Sequence, residues 1–251
     1  MDKNLKKKID NQNYESGIYI KNLTFKYKNN EIFNKFSINF EPKKTTSLLG
    51  DNGIGKSTLV KLITGLETPF SGTITNKNNQ NINKLISYMD QSGQLLPWSK
   101  IKNNIILGYR LRGEQYPVSA FAKLIKTLNL EDYLEKLPRE ISGGTKQRVA
   151  LARTFIENRP IIVMDEPFSS LDTVTKNKLG NITKELKRDK TLILITHDIY
   201  EALELSDQII VLKGKSIKTF KTFKIEEFKD HKLSDKIKIQ FYDKILKFLE
   251  K

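Results

Sequence analysis

Leu23, Phe25 and Tyr27 alternate with Thr24, Lys26 and Lys28, and Phe36, Ile38 and Phe40 repeat the same period of two. That spacing predicts two half-buried strands joined by a turn over residues 28–31. Ser47, Leu48 and Leu49 make a short apolar strand that runs straight into a glycine-rich loop. Beyond the loop, Leu59, Leu62, Ile63 and Leu66 fall at i, i+3, i+4 and i+7, which is one face of a helix. Residues 93–139 read differently, with helical patches, loops around Pro97, Gly108, Gly113 and Pro117, and no strong strand. They predict a mostly helical insertion, taken as about 93–145, between two halves of a core. Strand and helix patterns then alternate: a helix near 146–156 stopped before Pro160, a strand at 161–164, and a helix near 174–186. A strand at 192–195, a helix near 199–205 and a strand at 209–212 continue the series. Apolar strands alternating with helices predict an α/β fold with a mainly parallel sheet flanked by helices. Ile237, Phe241, Ile245 and Leu249 stand at near-helical spacing, so residues 215–251 are expected to form a largely helical extension with a basic outer face. No internal repeat interrupts this order.

Composition narrows the picture. The 251 residues, 38% hydrophobic and 29% charged, suit a globular chain with a sizeable core. No apolar run approaches the roughly 20 residues of a membrane-spanning helix. With no cysteine there is no disulfide framework and no thiolate chemistry, and two histidines leave little for a histidine-rich metal site. Residues 1–10 are basic but lack the apolar stretch of a signal peptide, so the chain is expected to stay in the cytosol, with residues 1–17 as a flexible basic tail. Forty-four Lys and Arg against 29 Asp and Glu give a net charge of +15. Such an excess suits nucleic acid or an anionic membrane surface, or equally a solvated lysine-rich surface, because the lysines are spread along the chain.

Two segments carry chemistry. Gly50, Asp51, Asn52, Gly53, Ile54, Gly55, Lys56, Ser57 and Thr58 stand between the predicted strand and helix as a phosphate-binding loop. Glycines let backbone N–H groups turn inward and cradle phosphates at the positive end of the helix. Lys56 adds a point charge, and the Ser57 hydroxyl can ligate Mg²⁺. In the second segment, the apolar strand at 161–164 runs into Asp165 and Glu166. A carboxylate there sits beside the Mg²⁺, and the next one is placed to polarise an attacking water.

With these two segments in place, the chain resembles the ATP-binding subunits of ABC transporters over roughly residues 18–214. Gln91 after Tyr88, Met89 and Asp90 resembles the Q-loop, and Ile141, Ser142, Gly143, Gly144, Thr145, Lys146, Gln147 and Arg148 resemble the family signature. Ser169, Ser170, Leu171 and Asp172 match the D-loop, while Thr196, His197 and Asp198 match the H-loop. The resemblance implies an ABC-type P-loop fold with an N-terminal antiparallel β subdomain, two ATP molecules with Mg²⁺ between two head-to-tail ATPase domains, and hydrolysis. It implies Tyr27 as the aromatic stacked on adenine, and residues 142–144 as a second anion site completing the opposite copy's pocket. It further places Asp172 at the dimer seam, Gln91 at the Mg²⁺ or the water, and His197 at the γ-phosphate. Ile141 and Thr145 depart from the usual Leu and Gln, and the shorter Thr145 is expected to weaken ribose contacts or contacts across the interface, and with them ATP-driven closure.

The run from Gln91 through Leu95, Leu96, Pro97 and Trp98, followed by Ile101 to Ile105, is similar to the nitrate, sulfonate and taurine importer ATPases. That similarity implies separate permease subunits, a substrate-binding protein, a peripheral place on the cytoplasmic face of the inner membrane, and import of a small nutrient such as a sulfonate-like anion. Trp98 then suits an anchor for a permease helix. Two other readings stand beside it. A soluble ABC-type ATPase acting on nucleic acid or ribosomes has only the charge in its favour, so no nucleic acid is expected. A non-hydrolysing partner in a heterodimer has only Thr145.

Overall fold

The computed structural model describes residues 16–28, 30–214, 219–225 and 235–250. The expected flexible tail thus lies outside the described residues up to residue 15. Its last two positions do not fit that expectation: Ser16 and Gly17 are buried, and the Ser16 hydroxyl accepts a hydrogen bond from Thr191 Oγ1 at 2.7 Å.

Along the chain run β1 (Ile18–Tyr27), β2 (Asn30–Phe40), β3 (Thr45–Leu49), α1 (Lys56–Thr64), β4 (Ser71–Thr75) and β5 (Ile86–Met89). The helices α2 (Ile101–Ile105), α3 (Leu107–Leu111) and α4 (Val118–Thr127) follow, with single helical turns at Glu131–Tyr133 and Pro138–Glu140. The second half contains α5 (Gly143–Ile156), β6 (Ile161–Asp165), α6 (Thr173–Leu186), β7 (Thr191–Ile195) and α7 (Ile199–Leu205). It closes with β8 (Gln208–Lys213), β9 (Thr219–Lys224) and α8 (Asp235–Glu250).

The strands make two sheets. A small antiparallel one has the order β2-β1-β4, and the larger one has the order β5-β6-β7-β3-β8-β9, parallel except for β9. Side chains of the central strands point alternately to opposite faces. Ile161 and Val163 of β6, with Ile193 and Ile195 of β7, face a core shared with α1 and the small sheet. Ile162, Met164, Leu192 and Leu194 face the other way, into a core shared with α2, α4 and α5. Burial on both faces explains why these strands are continuous apolar runs. A third cluster joins Phe241 and Ile245 of α8 to α7, β8 and β9.

Three strands are absent from the sequence pattern. β4 is short, polar and largely exposed, and it owes its conformation to pairing with β1. β5 has four residues at the edge beside β6. β9 lies within the extension expected to be helical, where Phe223 turns inward while Thr219 to Lys224 pair antiparallel with β8. The first hairpin is also tighter than expected: Tyr27 pairs with Asn30, and Lys28, just after Tyr27, has a left-handed φ of 50°.

Candidate active site

Residues 50–55 carry β3 into α1. Gly50 has a φ of 150°, and a Cβ there would stand 2.7 Å from the Leu212 carbonyl oxygen, so the loop can lie against β8 only with glycine. Gly55 caps α1 in the left-handed region at φ 115°, with no side chain bonded to the N–H groups of the first turn. Those donors and the helix dipole favour an anion. Asn52, Gly53 and residues 55–58 line a cleft of about 380 Å³ together with Gln91, Glu166 and His197. Lys56 is only 6% exposed, and its ammonium donates to the carbonyls of Gly50 (2.6 Å) and Asp51 (2.9 Å). Burial pushes its pKa down, against the pull of Glu166, Asp165 and Asp51.

The carboxylates arrive from the sheet. Asp165 ends β6, buried and hydrogen-bonded to the Ser57 side chain. Burial raises its pKa, as do Glu166 and Asp90, while the Ser57 hydrogen bond and Lys56 oppose the rise. Glu166 takes a left-handed φ of 45°, a conformation that costs a non-glycine residue about 1–3 kcal/mol. Its N–H donates to the Ile195 carbonyl at 2.9 Å, and its carbonyl accepts from Ser169 N (3.3 Å) and Ser169 Oγ (3.2 Å), which holds the turn. The Glu166 side chain is gripped from both sides. Gln91 Nε2 donates to Oε2 at 3.0 Å, and His197 Nδ1 lies 3.3 Å from Oε1. Gln91, Glu166 and His197 follow the C-terminal ends of β5, β6 and β7, three neighbouring parallel strands. The topology therefore lines up three residues far apart in sequence along one crevice, where α/β sheets bind ligands.

Other expected site residues lie elsewhere. Tyr27 is 39% exposed, packs edge-on against Phe25 with centroids 4.8 Å apart, and donates from its hydroxyl to Glu67 Oε1 at 3.2 Å. It does not line the cleft. Residues 142–144 open α5 away from the cleft, with Ser142 Oγ accepting from Thr145 N. Asp172 caps α6, accepting from Thr175 N at 3.0 Å, and its hydrogen bonds to Thr175 hold its carboxyl below the usual range. Thr145, expected to weaken ribose contacts or contacts across the interface, is 2% exposed and turned inward.

Several polar anchors went unread in the sequence. Gln147 donates to the Pro167 carbonyl, and Arg153 donates to the carbonyls of Gly93 and, at 2.9 Å, Gln94. Asn104, fully buried, bonds the backbone of Leu96, Ser99 and Lys100. The signal available was polarity on faces otherwise filled by Ile101, Ile105, Ala150 and Phe155. The loop so held leaves Leu95 packed on the core but Trp98 77% exposed.

The ABC transporter family profile matches residues 33–169. The aliphatic sulfonates import ATP-binding protein SsuB 1 of Rhodococcus jostii is 32% identical over 80% of this chain and 81% of its own length. The thiamine import ATP-binding protein ThiQ of Haemophilus influenzae is 34% identical over 76% of this chain and 96% of its own. Among solved structures, a dimeric post-hydrolysis ATP-binding cassette bound to ADP and Pi superposes with a TM-score of 0.73 at 28% identity, covering 83% of this chain and 98% of that one. The chain belongs to the ABC transporter family, as an ATP-binding, ATP-hydrolysing subunit.

Proposed function

We propose that the cleft binds Mg-ATP between two copies of this chain and hydrolyses it to drive a separate membrane permease. The observation that carries the reading is the Glu166 carboxylate, clamped between Gln91 and His197 beside the buried Lys56 loop. The N–H groups of α1 and the Lys56 ammonium bind the phosphates, exchanging the loop carbonyls for phosphoryl oxygens. Glu166 accepts a hydrogen bond from the attacking water and orients it, while His197 and Gln91 fix the carboxylate. For the cation, Ser57 and Asp165 offer hard oxygen donors already in contact, and Gln91, whose amide nitrogen is on Glu166, offers its carbonyl oxygen. Mg²⁺ takes few protein ligands and completes its shell with phosphates and water, so this donor set fits. Bound there, the ion neutralises phosphate charge.

Residues 142–144 lie outside the cleft, which supports a second copy supplying them, and the cassette of similar fold is a dimer. Tyr27 would then meet adenine, and Asp172 the seam between copies. No described helix is long and apolar enough to cross a membrane, and the exposed Trp98 suits a permease helix. Relatives named for sulfonate and thiamine import support uptake of a small nutrient, and the run around Trp98 favours a sulfonate-like anion delivered by a binding protein. The place of work is then the cytoplasmic face of the membrane. Glu166→Gln should retain Mg-ATP, lose at least about a hundredfold in turnover, and accumulate a dimer that co-purifies with a polytopic membrane protein. Turnover at the parental rate removes Glu166 from its role, and co-purification with ribosomes or nucleic acid alone overturns transport.

A further inference from the structure

Thr145 occupies a buried junction. Its Oγ1 receives a hydrogen bond from Arg148 Nη2 at 2.9 Å and stands 3.0 Å from Ser142 Oγ. The same Ser142 oxygen accepts the Thr145 backbone N–H at 3.2 Å. Arg148 is itself fixed, since Nη1 donates to the Leu128 and Asn129 carbonyls at 3.0 and 2.8 Å and the guanidinium lies 5.6 Å from the Tyr133 ring centroid.

Counting protons sets the direction of the chain. A guanidinium only donates, so Thr145 Oγ1 accepts from Arg148 and keeps one proton to give. Thr145 is 2% exposed, so that proton cannot go to water, and the neighbouring oxygen within reach is Ser142 Oγ. Were Ser142 to donate to Thr145 instead, the buried Thr145 proton would be stranded, a penalty larger than that for the exposed Ser142. Ser142 Oγ thus accepts twice from Thr145, and its own proton is left to point outward at the N-terminus of α5. A hydroxyl saturated as an acceptor cannot receive a bond from water or backbone and is left to donate, which suits an anion. The positive charge on Arg148 at the far end polarises the series in the same sense.

We propose that Thr145, fixed by Arg148, is a positioning residue that commits the Ser142 hydroxyl to donate to a phosphoryl oxygen of nucleotide held by a facing copy of this chain. This rests on the two-copy reading above. Thr145 does not reach across the interface; it acts from behind, through Ser142.

The test uses the full chain carrying Glu166→Gln, titrated with Mg-ATP and followed by sedimentation velocity. Thr145→Val removes the hydroxyl at equal volume, Thr145→Ala removes it with less crowding, and Thr145→Ser keeps it. Both hydroxyl-free variants should need about tenfold more ATP for half-dimerisation, the loss of a charge-assisted bond at each site, while Thr145→Ser matches the parent. Binding of a fluorescent ATP analogue to dilute, monomeric chain should be the same for all four. The inference fails if the hydroxyl-free variants dimerise like the parent, if Thr145→Ser falls with them, or if analogue binding weakens in step. A parent that stays monomeric at every ATP concentration overturns the two-copy reading and the inference with it.

Discussion

Asn104→Ala is the substitution whose effect the structure specifies best. The side chain is fully buried. Its Oδ1 accepts from Leu96 N at 2.7 Å, and its Nδ2 donates to Ser99 O at 2.8 Å, with longer bonds to Leu96 O (3.2 Å) and Lys100 O (3.3 Å). The last two carbonyls also accept from Ser99 N and Asn104 N, so truncation strikes mainly the Leu96 N–H and the Ser99 carbonyl. A buried group stripped of its partner costs about 1–3 kcal/mol. Two such groups, at the low end because the loop lies near solvent, predict a loss of about 2–4 kcal/mol from a total of about 5–15 kcal/mol. Urea unfolding followed by far-UV circular dichroism measures it. Trp98 is the single tryptophan of the chain, so its fluorescence anisotropy reports the same loop and should fall. Asn104→Asp keeps the volume but aims a second acceptor at three carbonyls, and should be at least as damaging. If Asn104→Ala loses under about 1 kcal/mol with unchanged anisotropy, the side chain is not what holds the loop.

Glu201 of α7 is pushed up to about 7 by burial and by Asp198 and Glu166, against Lys176 and the Thr196 hydroxyl. An acid with its folded pKa raised takes up a proton on folding, so stability is full below pH 4.5 and is lost as pH rises through about 7. Glu201→Gln should remove that slope and exceed the parent at pH 8 by up to about 3 kcal/mol in urea melts; parallel curves at pH 5 and pH 8 refute it. Gly50→Ala forces a Cβ against the Leu212 carbonyl and should lower the melting temperature and abolish nucleotide binding. Gly53→Ala, with open space around it, should do less to stability by calorimetry; equal losses would show that backbone strain, not the close approach, decides.

The loop at residues 50–58 is legible in sequence because its demands are local: glycine where φ is positive, Lys and Ser at the start of a helix. The central strands are legible because both faces are buried, which leaves an unbroken apolar run. β4 is not, being polar and largely exposed, β5 is not, being four residues, and β9 is not, because Phe220 and Phe223 stand three apart, off a strand's period of two, and only Phe223 is buried. The strand ends that bring Gln91, Glu166 and His197 together follow from sheet order, a property of the whole chain. Thr145, Gln147, Arg148 and Arg153 illustrate the same limit, since each finds carbonyls or hydroxyls that only the folded chain places nearby.

These anchors make α5 more than a core helix. Its 14 residues span roughly 21 Å. At the N-terminus Ser142 presents its hydroxyl, one turn on Gln147 holds the carbonyl of Pro167 next to Glu166, and near the end Arg153 holds Gly93 and Gln94 next to Gln91. Arg153 is a half-buried cation with its pKa lowered by burial, and truncating it would remove the donor that the Gly93 and Gln94 carbonyls share. Ala150 closes on Gly93, where a Cβ would stand at 3.2 Å, so the loop cannot slide along the helix without displacing it. A helix that cannot stretch therefore fixes the distance between Ser142 and the residues behind Glu166 and Gln91. The same loop continues to Leu96, Pro97 and Trp98, pinned by Asn104, so a chain of defined hydrogen bonds through α5 connects the exposed Trp98 segment with the backbone beside both Gln91 and Glu166.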